Sequence, residues 1–306
     1  MPFVMVCSRA IVALSIGLLG IAGCGRIALP ILNPSPPPPS ATPMPPTPTP
    51  QPLAANVNGE GILLELFELE VIRFEYSKTD SGIDLATLSA YRSALLESMI
   101  DLVLLGQGAR ANGYKIEETE IEDRLNRMVE SAGDWGEFEL WMELNGYTQE
   151  TLRTAMVKEI EAAWMVAFLA DQVDDAADQV HARHILVSSE AEAEGLRAQL
   201  QDGVDFSLLA RQYSIDASSR AAGGDLGWFP QGFLLWPEVE TVAFALQPGE
   251  ISAVVESGIG YHIIETIERE DRLLNYSVKQ VLSERSIESW LTTESATADI
   301  QTFITQ

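Results

Sequence analysis

A proline-rich segment near the amino terminus limits where this chain of 306 residues can begin to fold. Residues 30–52, PILNPSPPPPSATPMPPTPTPQP, hold most of the 16 prolines in the chain. Proline fixes φ near about −65° and has no backbone N–H, so such a run favours extended polyproline II over helix or sheet. We therefore expect a linker here and a folded body that begins near residue 54.

The segment before the linker has the features of an export signal. Arg9 precedes an apolar run, AIVALSIGLLGIAGC, whose length and small-residue end are typical of a signal peptide. The end of the run, IAGC, resembles the bacterial lipobox, which implies cleavage before Cys24 and lipid attachment to its sulfur. An ordinary signal peptide or an uncleaved anchor is the alternative. We expect a lipoprotein signal peptide over residues 1–23, a lipid-anchored linker over 24–53, and an extracytoplasmic location on the bacterial cell membrane.

Composition narrows the classes of function. The formal net charge is −26, and a chain this acidic is repelled by a phosphate backbone, so we do not expect nucleic acid as a partner. The two cysteines, Cys7 and Cys24, both precede the linker. The folded part therefore has no disulfide, no thiolate metal site and no cysteine nucleophile.

Residues 54–176 have the apolar periodicity of helices. The clearest repeat, in the stretch 84–112, consists of Leu85, Leu88, Tyr91, Leu95, Met99, Leu102 and Leu105. Asn-Gly pairs at 112–113 and 145–146 mark helix ends. The tail, residues 271–306, also carries apolar residues at helical spacing. We expect a mainly helical N-terminal domain that a C-terminal helix completes by packing on it.

The pattern changes over residues 177–270. VHARHILV and GYHIIETIE predict strands, because they alternate and are rich in β-branched residues. Between them, SSEAEAEGLRAQLQDG, DFSLLARQYS and PEVETVAFAL predict helices, and the glycine-rich stretch SIDASSRAAGGDLGWF separates the second from the third. This order predicts a small antiparallel sheet covered by helices, and an α+β fold class for the chain.

All three histidines of the chain lie on the two predicted strands, His181 and His184 on the first and His262 on the second. Because side chains alternate along a strand, His181 and His184 point to opposite faces and only one can face His262. A zinc site needs three or four converging ligands, so one such pair does not predict a metal. No GxSxG stretch marks a serine nucleophile.

Four motifs in order closely resemble a parvulin-type peptidyl-prolyl isomerase domain: RHILV, FSLLARQYSIDASSRAAGGDLGWF, PEVETVAFALQPGEIS and SGIGYHIIETIE. The lipobox, the helical N-terminal region and the returning C-terminal helix are similar in plan to extracytoplasmic PrsA/SurA-like foldases and chaperones. The resemblance implies isomerisation of X-Pro bonds in unfolded or partly folded exported polypeptides, with no covalent chemistry and no cofactor.

Matched position by position, the resemblance implies a catalytic cluster of His184, Asp216 and His262. It also implies a proline pocket, whose lining residues would be Leu226, Phe229, Leu235, Val239 and Phe244. Leu235 stands where the family usually has methionine, and Val239 where it usually has phenylalanine. SSEAEAEGLR, which follows the first strand, lacks the basic cluster of phosphate-directed parvulins, so we expect no phosphopeptide specificity.

Two classes of function remain open at this point. The cluster of His184, Asp216 and His262 favours an active isomerase. Leu235 and Val239 favour a non-catalytic holdase chaperone with a degenerate parvulin domain. A solute-binding lipoprotein is disfavoured, because it needs a larger two-lobed α/β body that this segment order does not supply.

Overall fold

The structure, a computed structural model, describes residues 51–81 and 90–304. The predicted signal peptide, the lipidation site Cys24, the linker up to residue 50, and Leu85 and Leu88 of the apolar repeat lie outside the described residues. The described residues divide into two compact units, the first of residues 51–81, 90–165 and 291–304 and the second of Val166–Trp290. Within residues 51–81 and 90–304, every helix is too short or too polar to span a lipid bilayer.

Unit 1 combines helices with a small antiparallel sheet. Its elements are β1 (Leu53–Val57), β2 (Glu60–Leu63), α1 (Leu64–Asp80), α2 (Tyr91–Ala111), α3 (Glu118–Ala132), α4 (Trp135–Leu144), the first part of α5 (Gln149–Asp171) and β7 (Ile300–Thr302). The sheet has the order β2-β1-β7. Asn58 and Gly59 join β1 to β2 with φ values of 53° and 88°, as a two-residue hairpin turn requires.

The helices of unit 1 bury the predicted apolar repeat only in part. Leu105 of the predicted repeat is buried, whereas Tyr91, Leu95, Met99 and Leu102 are half-buried. A second buried cluster joins α3, α4 and α5 through Ile121, Phe138, Met142, Leu152 and Met156. The predicted helical character of this region is therefore present, together with a sheet that the sequence did not predict.

Unit 2 is a four-stranded antiparallel sheet with helices on both faces. Its elements are β3 (Ala176–Val187), α6 (Glu190–Gln201), α7 (Phe206–Tyr213), β4 (Asp225–Pro230), α8 (Pro237–Ala245), β5 (Val255–Ser257), β6 (Gly260–Leu273) and the first part of α9 (Tyr276–Thr297). The strand order is β4-β3-β6-β5. The predicted α+β fold class is confirmed.

Alternation along β3 divides the core of unit 2 in two. Ile185 and Val187 pack with residues of α6 and α7 on one face of the sheet. Val180 and Ala182 pack with residues of α8 on the other face. Successive strand residues point to opposite faces, so β3 supplies both clusters.

The tail differs from the single C-terminal element that we expected over residues 271–306. β6 continues to Leu273, which pairs with Ala176, so the start of the tail belongs to the sheet of unit 2. Residues up to Trp290 group with unit 2, where Lys279 bonds Asp175 at 2.6 Å. The end of the tail belongs to unit 1, in which β7 pairs with β1.

Candidate active site

Strand register brings two of the three histidines together. β3 and β6 are antiparallel neighbours in which Leu186 pairs with His262 and His184 pairs with Ile264. The two histidines are thus offset by two residues on adjacent strands, which places their side chains on one face. Their rings lie 5.3 Å apart between centroids, and the two Nδ1 atoms are 3.1 Å apart. His262 is fully buried and His184 is 6 % exposed.

The glycine-rich stretch after α7 brings Asp216 to this pair. The Ile215 N–H donates to the Leu186 carbonyl at 2.8 Å, and Ser214 Oγ accepts from the N–H of Leu186 at 3.2 Å. These contacts fasten the chain to β3 just before Asp216. Asp216 Oδ2 then lies 2.8 Å from His184 Nε2.

Gly224 fastens the other end of the stretch to β3. The His184 N–H donates to the Gly224 carbonyl at 2.8 Å. A Cβ at Gly224 would lie 2.1 Å from the His184 carbonyl oxygen, and the residue has a φ of +84°. Both the close approach and the positive φ therefore require glycine at this position.

Hydrogen bonds hold Asp216 in its ionised form. Burial acts to raise the pKa of its carboxyl, but hydrogen bonds from Ser219, Ser218 and His184 outweigh burial and lower the pKa well below its usual range. Ser219 Oγ donates at 2.5 Å, and Ser218 donates both its hydroxyl at 2.7 Å and its N–H at 3.0 Å. The cluster thus carries a fixed negative charge near neutral pH.

His262 has the opposite electrostatic environment. Burial, with the neighbouring His184 as a second cause, lowers the pKa of His262 to about 4. His262 is therefore neutral at neutral pH, with one ring nitrogen that donates and one that accepts. Its Nε2 lies 2.7 Å from Ser257 Oγ.

The hydrogen-bond partners assign a direction to this series of bonds. Ionised Asp216 only accepts, so His184 Nε2–H donates to it. When His184 is neutral, its Nδ1 accepts from His262 Nδ1–H, and His262 Nε2 then accepts from the Ser257 hydroxyl. Ser257 Oγ in turn accepts the N–H of Ile259 at 3.2 Å.

Sequence reasoning missed Ser219 and Ser257, whose hydroxyls complete the cluster. Ser219 Oγ also lies 3.1 Å from His184 Nε2, which gives a serine, a histidine and an aspartate in contact. In a hydrolytic triad the aspartate orients the histidine nitrogen opposite to the one that bonds the serine. Here Asp216 and Ser219 share one nitrogen, and Ser219 is 3 % exposed, so the arrangement is not that of a serine hydrolase.

The third histidine lies apart from the cluster. His181 Nε2 is 2.8 Å from Asp225 Oδ1, and its ring is tilted against Trp228 with centroids 5.5 Å apart. His184 is accordingly the member of the β3 pair that meets His262. Among the residues that the structure describes, no three His, Cys, Asp or Glu side chains converge as ligands for a metal ion.

An apolar cluster between α8 and one face of the sheet contains most of the residues predicted to line a proline pocket. Phe229, Val239 and Phe244 are buried within it, and Leu226 packs against it half-buried. Phe229 and Phe244 meet edge to face with centroids 6.2 Å apart. Because Phe229 has no exposed surface, it packs beneath the residues of this cluster that are partly exposed and does not itself reach the surface.

Leu235 does not join this cluster and corrects the expected lining. Its side chain is 81 % exposed, whereas its neighbours Leu234 and Trp236 pack against the cluster with Phe233. In the segment between β4 and α8, the Leu235 side chain points outward. Leu235 occupies the sequence position of the family's methionine, but it does not pack in the pocket lining.

Sequence comparisons match parts of this chain to known proteins. Residues 175–268 match the rotamase family, described as a PPIC-type PPIASE domain. Foldase protein PrsA of Geobacillus kaustophilus is 34 % identical over 177 residues, which are 55 % of this chain and 61 % of the relative. Chaperone SurA of Thiobacillus denitrificans is 41 % identical over 118 residues, 36 % of this chain and 27 % of the relative.

A solved structure with similarity to the chain is the peptidyl-prolyl isomerase PrsA of Bacillus anthracis. The two chains are 27 % identical and superpose with a TM-score of 0.46. The superposition covers 66 % of this chain and 96 % of the Bacillus anthracis chain. The chain spans about three fifths of the length of the PrsA relative from Geobacillus kaustophilus. The glycine-rich stretch and the paired histidines lie inside the matched range, and residues 175–268 form a PPIC-type parvulin peptidyl-prolyl isomerase domain.

Proposed function

We propose that the chain is a membrane-anchored peptidyl-prolyl cis-trans isomerase that assists the folding of exported proteins. The observation that carries the proposal is the hydrogen-bonded cluster of His184, Asp216 and His262 inside a PPIC-type domain. The apolar cluster around Phe229 and Val239 supports it, because a proline ring needs a dry pocket. Its substrates are X-Pro segments of unfolded or partly folded exported polypeptides.

The proposed mechanism stabilises a twisted amide without covalent chemistry. Rotation about an X-Pro bond has a barrier of roughly 18–20 kcal/mol, because resonance gives the C–N bond double-bond character. Twisting returns electron density to the nitrogen and removes partial charge from the carbonyl oxygen. The fixed negative charge of Asp216 disfavours that partial charge and so favours the twisted state over the planar one. A carboxyl with so low a pKa is unsuited to donate or accept protons in the reaction.

A protease-coupled assay on X-Pro peptides tests the catalytic proposal. We expect Asp216→Ala to lower kcat/KM at least about tenfold, since it removes preorganised charge at the reacting bond. Asp225→Asn is the matched control, because it alters the other histidine–aspartate pair of the same domain and should stay close to wild type. Isomerisation by the wild-type chain that equals the uncatalysed rate would contradict the proposal, as would an Asp216→Ala variant with full activity.

The proposed location is extracytoplasmic, on the cell membrane, and it rests on lipid attachment at Cys24 and on the linker that follows. We propose no nucleic-acid partner. Radiolabelled palmitate incorporation and fractionation of cells that express the full chain test it. We expect label in the membrane fraction for the wild type and a soluble, unlabelled product for Cys24→Ser. Label that persists in Cys24→Ser would refute lipid attachment at this residue.

A holdase chaperone is the second candidate, and a cleft in unit 1 favours it. A cavity of about 140 Å³ lies among α3, α4 and α5, and its lining residues are mostly apolar. Trp135, which lines the cavity, is 41 % exposed. An exposed aromatic side chain such as Trp135 is the kind of group with which a holdase contacts apolar segments of an unfolded chain.

Aggregation of a denatured client separates the two candidates. A holdase predicts suppression by both the wild type and Asp216→Ala, and weaker suppression by Trp135→Ala. Leu208→Ala is the control, because Leu208 is 54 % exposed on α7 of the other unit. If the wild type suppresses aggregation but does not accelerate isomerisation, the holdase is the correct function.

A further inference from the structure

One carboxylate of α8 holds the segment between β4 and α8 by its backbone. Glu240 Oε1 accepts the N–H of Gly232 at 2.6 Å, and Glu240 Oε2 accepts those of Phe233 and Leu234, both at 2.9 Å. Three successive backbone donors thus converge on one side chain. We call the segment 232–236 the pocket loop.

The pocket loop joins two parts of the candidate active site. Phe233, Leu234 and Trp236 pack against the apolar cluster that contains Phe229 and Val239. The Trp236 indole also covers Gly258, where a Cβ would lie 3.2 Å from the ring. Gly258 follows Ser257, the residue bonded to His262, so the loop touches both the apolar wall and the end of the polar cluster.

The loop lies outside regular structure, so side chains supply part of its support. β4 ends at Pro230 and α8 begins at Pro237, and neither proline has a backbone N–H to donate. Gly232 has a φ of +79°, and its carbonyl accepts from Arg285. Glu240 accepts the N–H of this same peptide unit, which is that of Phe233, and the N–H groups of the units before and after it, and so fixes the course of the loop just before the exposed Leu235.

We propose that Glu240 is a positioning residue for substrate, which holds the pocket loop so that Phe233 and Trp236 border the bound proline segment. This inference rests on the proposed function of the domain. A carboxylate suits this role because both of its oxygens accept, and bonds to an ionised acceptor are roughly twice as strong as neutral ones. The position in the first turn of α8 further favours an acidic side chain.

Glu240→Gln is the critical variant, because glutamine has nearly the same shape but one oxygen instead of two. Its amide nitrogen cannot accept, so at least one of the three backbone donors faces another donor. Glu240→Asp keeps both oxygens on a shorter stem and should recover part of the effect. Glu238→Gln is the matched control, since it removes the same charge from the same helical turn.

Two measurements on the full chain in detergent test the proposal. In hydrogen–deuterium exchange, we expect the peptide that covers residues 231–236 to exchange about tenfold faster in Glu240→Gln, with the rest of unit 2 unchanged. In the isomerase assay, we expect KM to rise about fivefold while kcat stays within about twofold, because the substitution leaves the cluster of His184, Asp216 and His262 unchanged. Glu238→Gln should match the wild type in both.

Several results would overturn the proposal. Unchanged exchange in Glu240→Gln would show that the carboxylate does not hold the loop, and faster exchange with an unchanged KM would show that the loop does not position substrate. Exchange that rises throughout unit 2 would show a purely structural role. If the wild type binds a labelled X-Pro peptide without isomerising it, the catalytic proposal fails, and the same variants test the loop through Kd, expected to rise about fivefold. A wild type that does not bind the peptide overturns both proposals.

Discussion

Gly224→Ala tests how the glycine-rich stretch builds the cluster. A Cβ at this position would lie 2.1 Å from the His184 carbonyl oxygen and 3.2 Å from the Ala210 side chain. Ordinary contacts at such an atom begin near 3.4 Å, so the backbone must move by about 1 Å. The bond from His184 Nε2 to Asp216 is 2.8 Å long, and a displacement of about 1 Å takes it beyond hydrogen-bonding distance.

Two costs contribute to the expected loss of stability. A residue other than glycine in the left-handed region costs about 1–2 kcal/mol, and Gly224 has a φ of +84°. Steric overlap in a packed region adds about 1–3 kcal/mol. Gly227→Ala separates the two, because Gly227 has a φ of +70° and a Cβ there would meet no atom within 4 Å.

Urea unfolding followed by tryptophan fluorescence, combined with the isomerase assay, measures both consequences. We expect Gly224→Ala to lower the free energy of unfolding by about 2–5 kcal/mol, and Gly227→Ala by only about 1–2 kcal/mol. Activity should fall at least about tenfold in Gly224→Ala and remain near wild type in Gly227→Ala. Equal destabilisation by the two substitutions would refute the argument from close approach, because it would leave backbone conformation as the whole effect.

Two further predictions concern the histidine pair and the apolar wall. The folded-state pKa of His262 is lowered from 6.5 to about 4, so the free energy of unfolding is highest above pH 6.5 and falls by on the order of 3 kcal/mol as the pH drops through 6.5 towards 4. Urea titrations across this range should show that dependence weakened in His262→Asn, and an unchanged profile would contradict it. Val239→Phe should destabilise the chain by about 1–3 kcal/mol, because Val239 is 2 % exposed within a packed apolar cluster and the larger ring must displace its neighbours. A gain in thermal stability would show instead that the wall has room for the aromatic residue usual in the family.

Local signals in the sequence predicted many of the elements that carry the site. The alternating stretches around His184 and His262 became neighbouring strands, and Pro237 begins α8 as its fixed φ favours. Ser189 caps α6 by accepting the Glu192 N–H at 3.3 Å. These features follow from residues close together in the chain, which is where sequence patterns are most informative.

Features that depend on distant pairing had no such signal. β7 has three residues, and it pairs with β1 from the opposite end of the chain. Such a short strand has no periodicity of its own, so the tail was expected to be helical throughout. Leu235 points outward directly after two residues whose N–H groups donate to Glu240, and no spacing rule predicts such a contact between side chain and backbone.

The direction of hydrogen bonding in the cluster distinguishes two roles for Asp216. As an acceptor at one end of the series, Asp216 fixes the proton on His184 Nε2 and so the orientation of both histidines. As a fixed negative charge, it acts directly on the amide. Asp216→Asn separates the roles. The side-chain oxygen of the asparagine can still accept the hydrogen bond from His184, whereas the negative charge is lost.

If charge is the cause of catalysis, Asp216→Asn should lower kcat/KM as much as Asp216→Ala does, in the same protease-coupled assay. If orientation is the cause, Asp216→Asn should retain most of the activity that Asp216→Ala loses. The proposed mechanism predicts the first result, since the twisted amide is favoured by the disappearance of partial charge near a carboxylate rather than by a proton that His184 holds. An active Asp216→Asn variant would therefore refute the electrostatic role and leave Asp216 as a residue that orients the histidine pair.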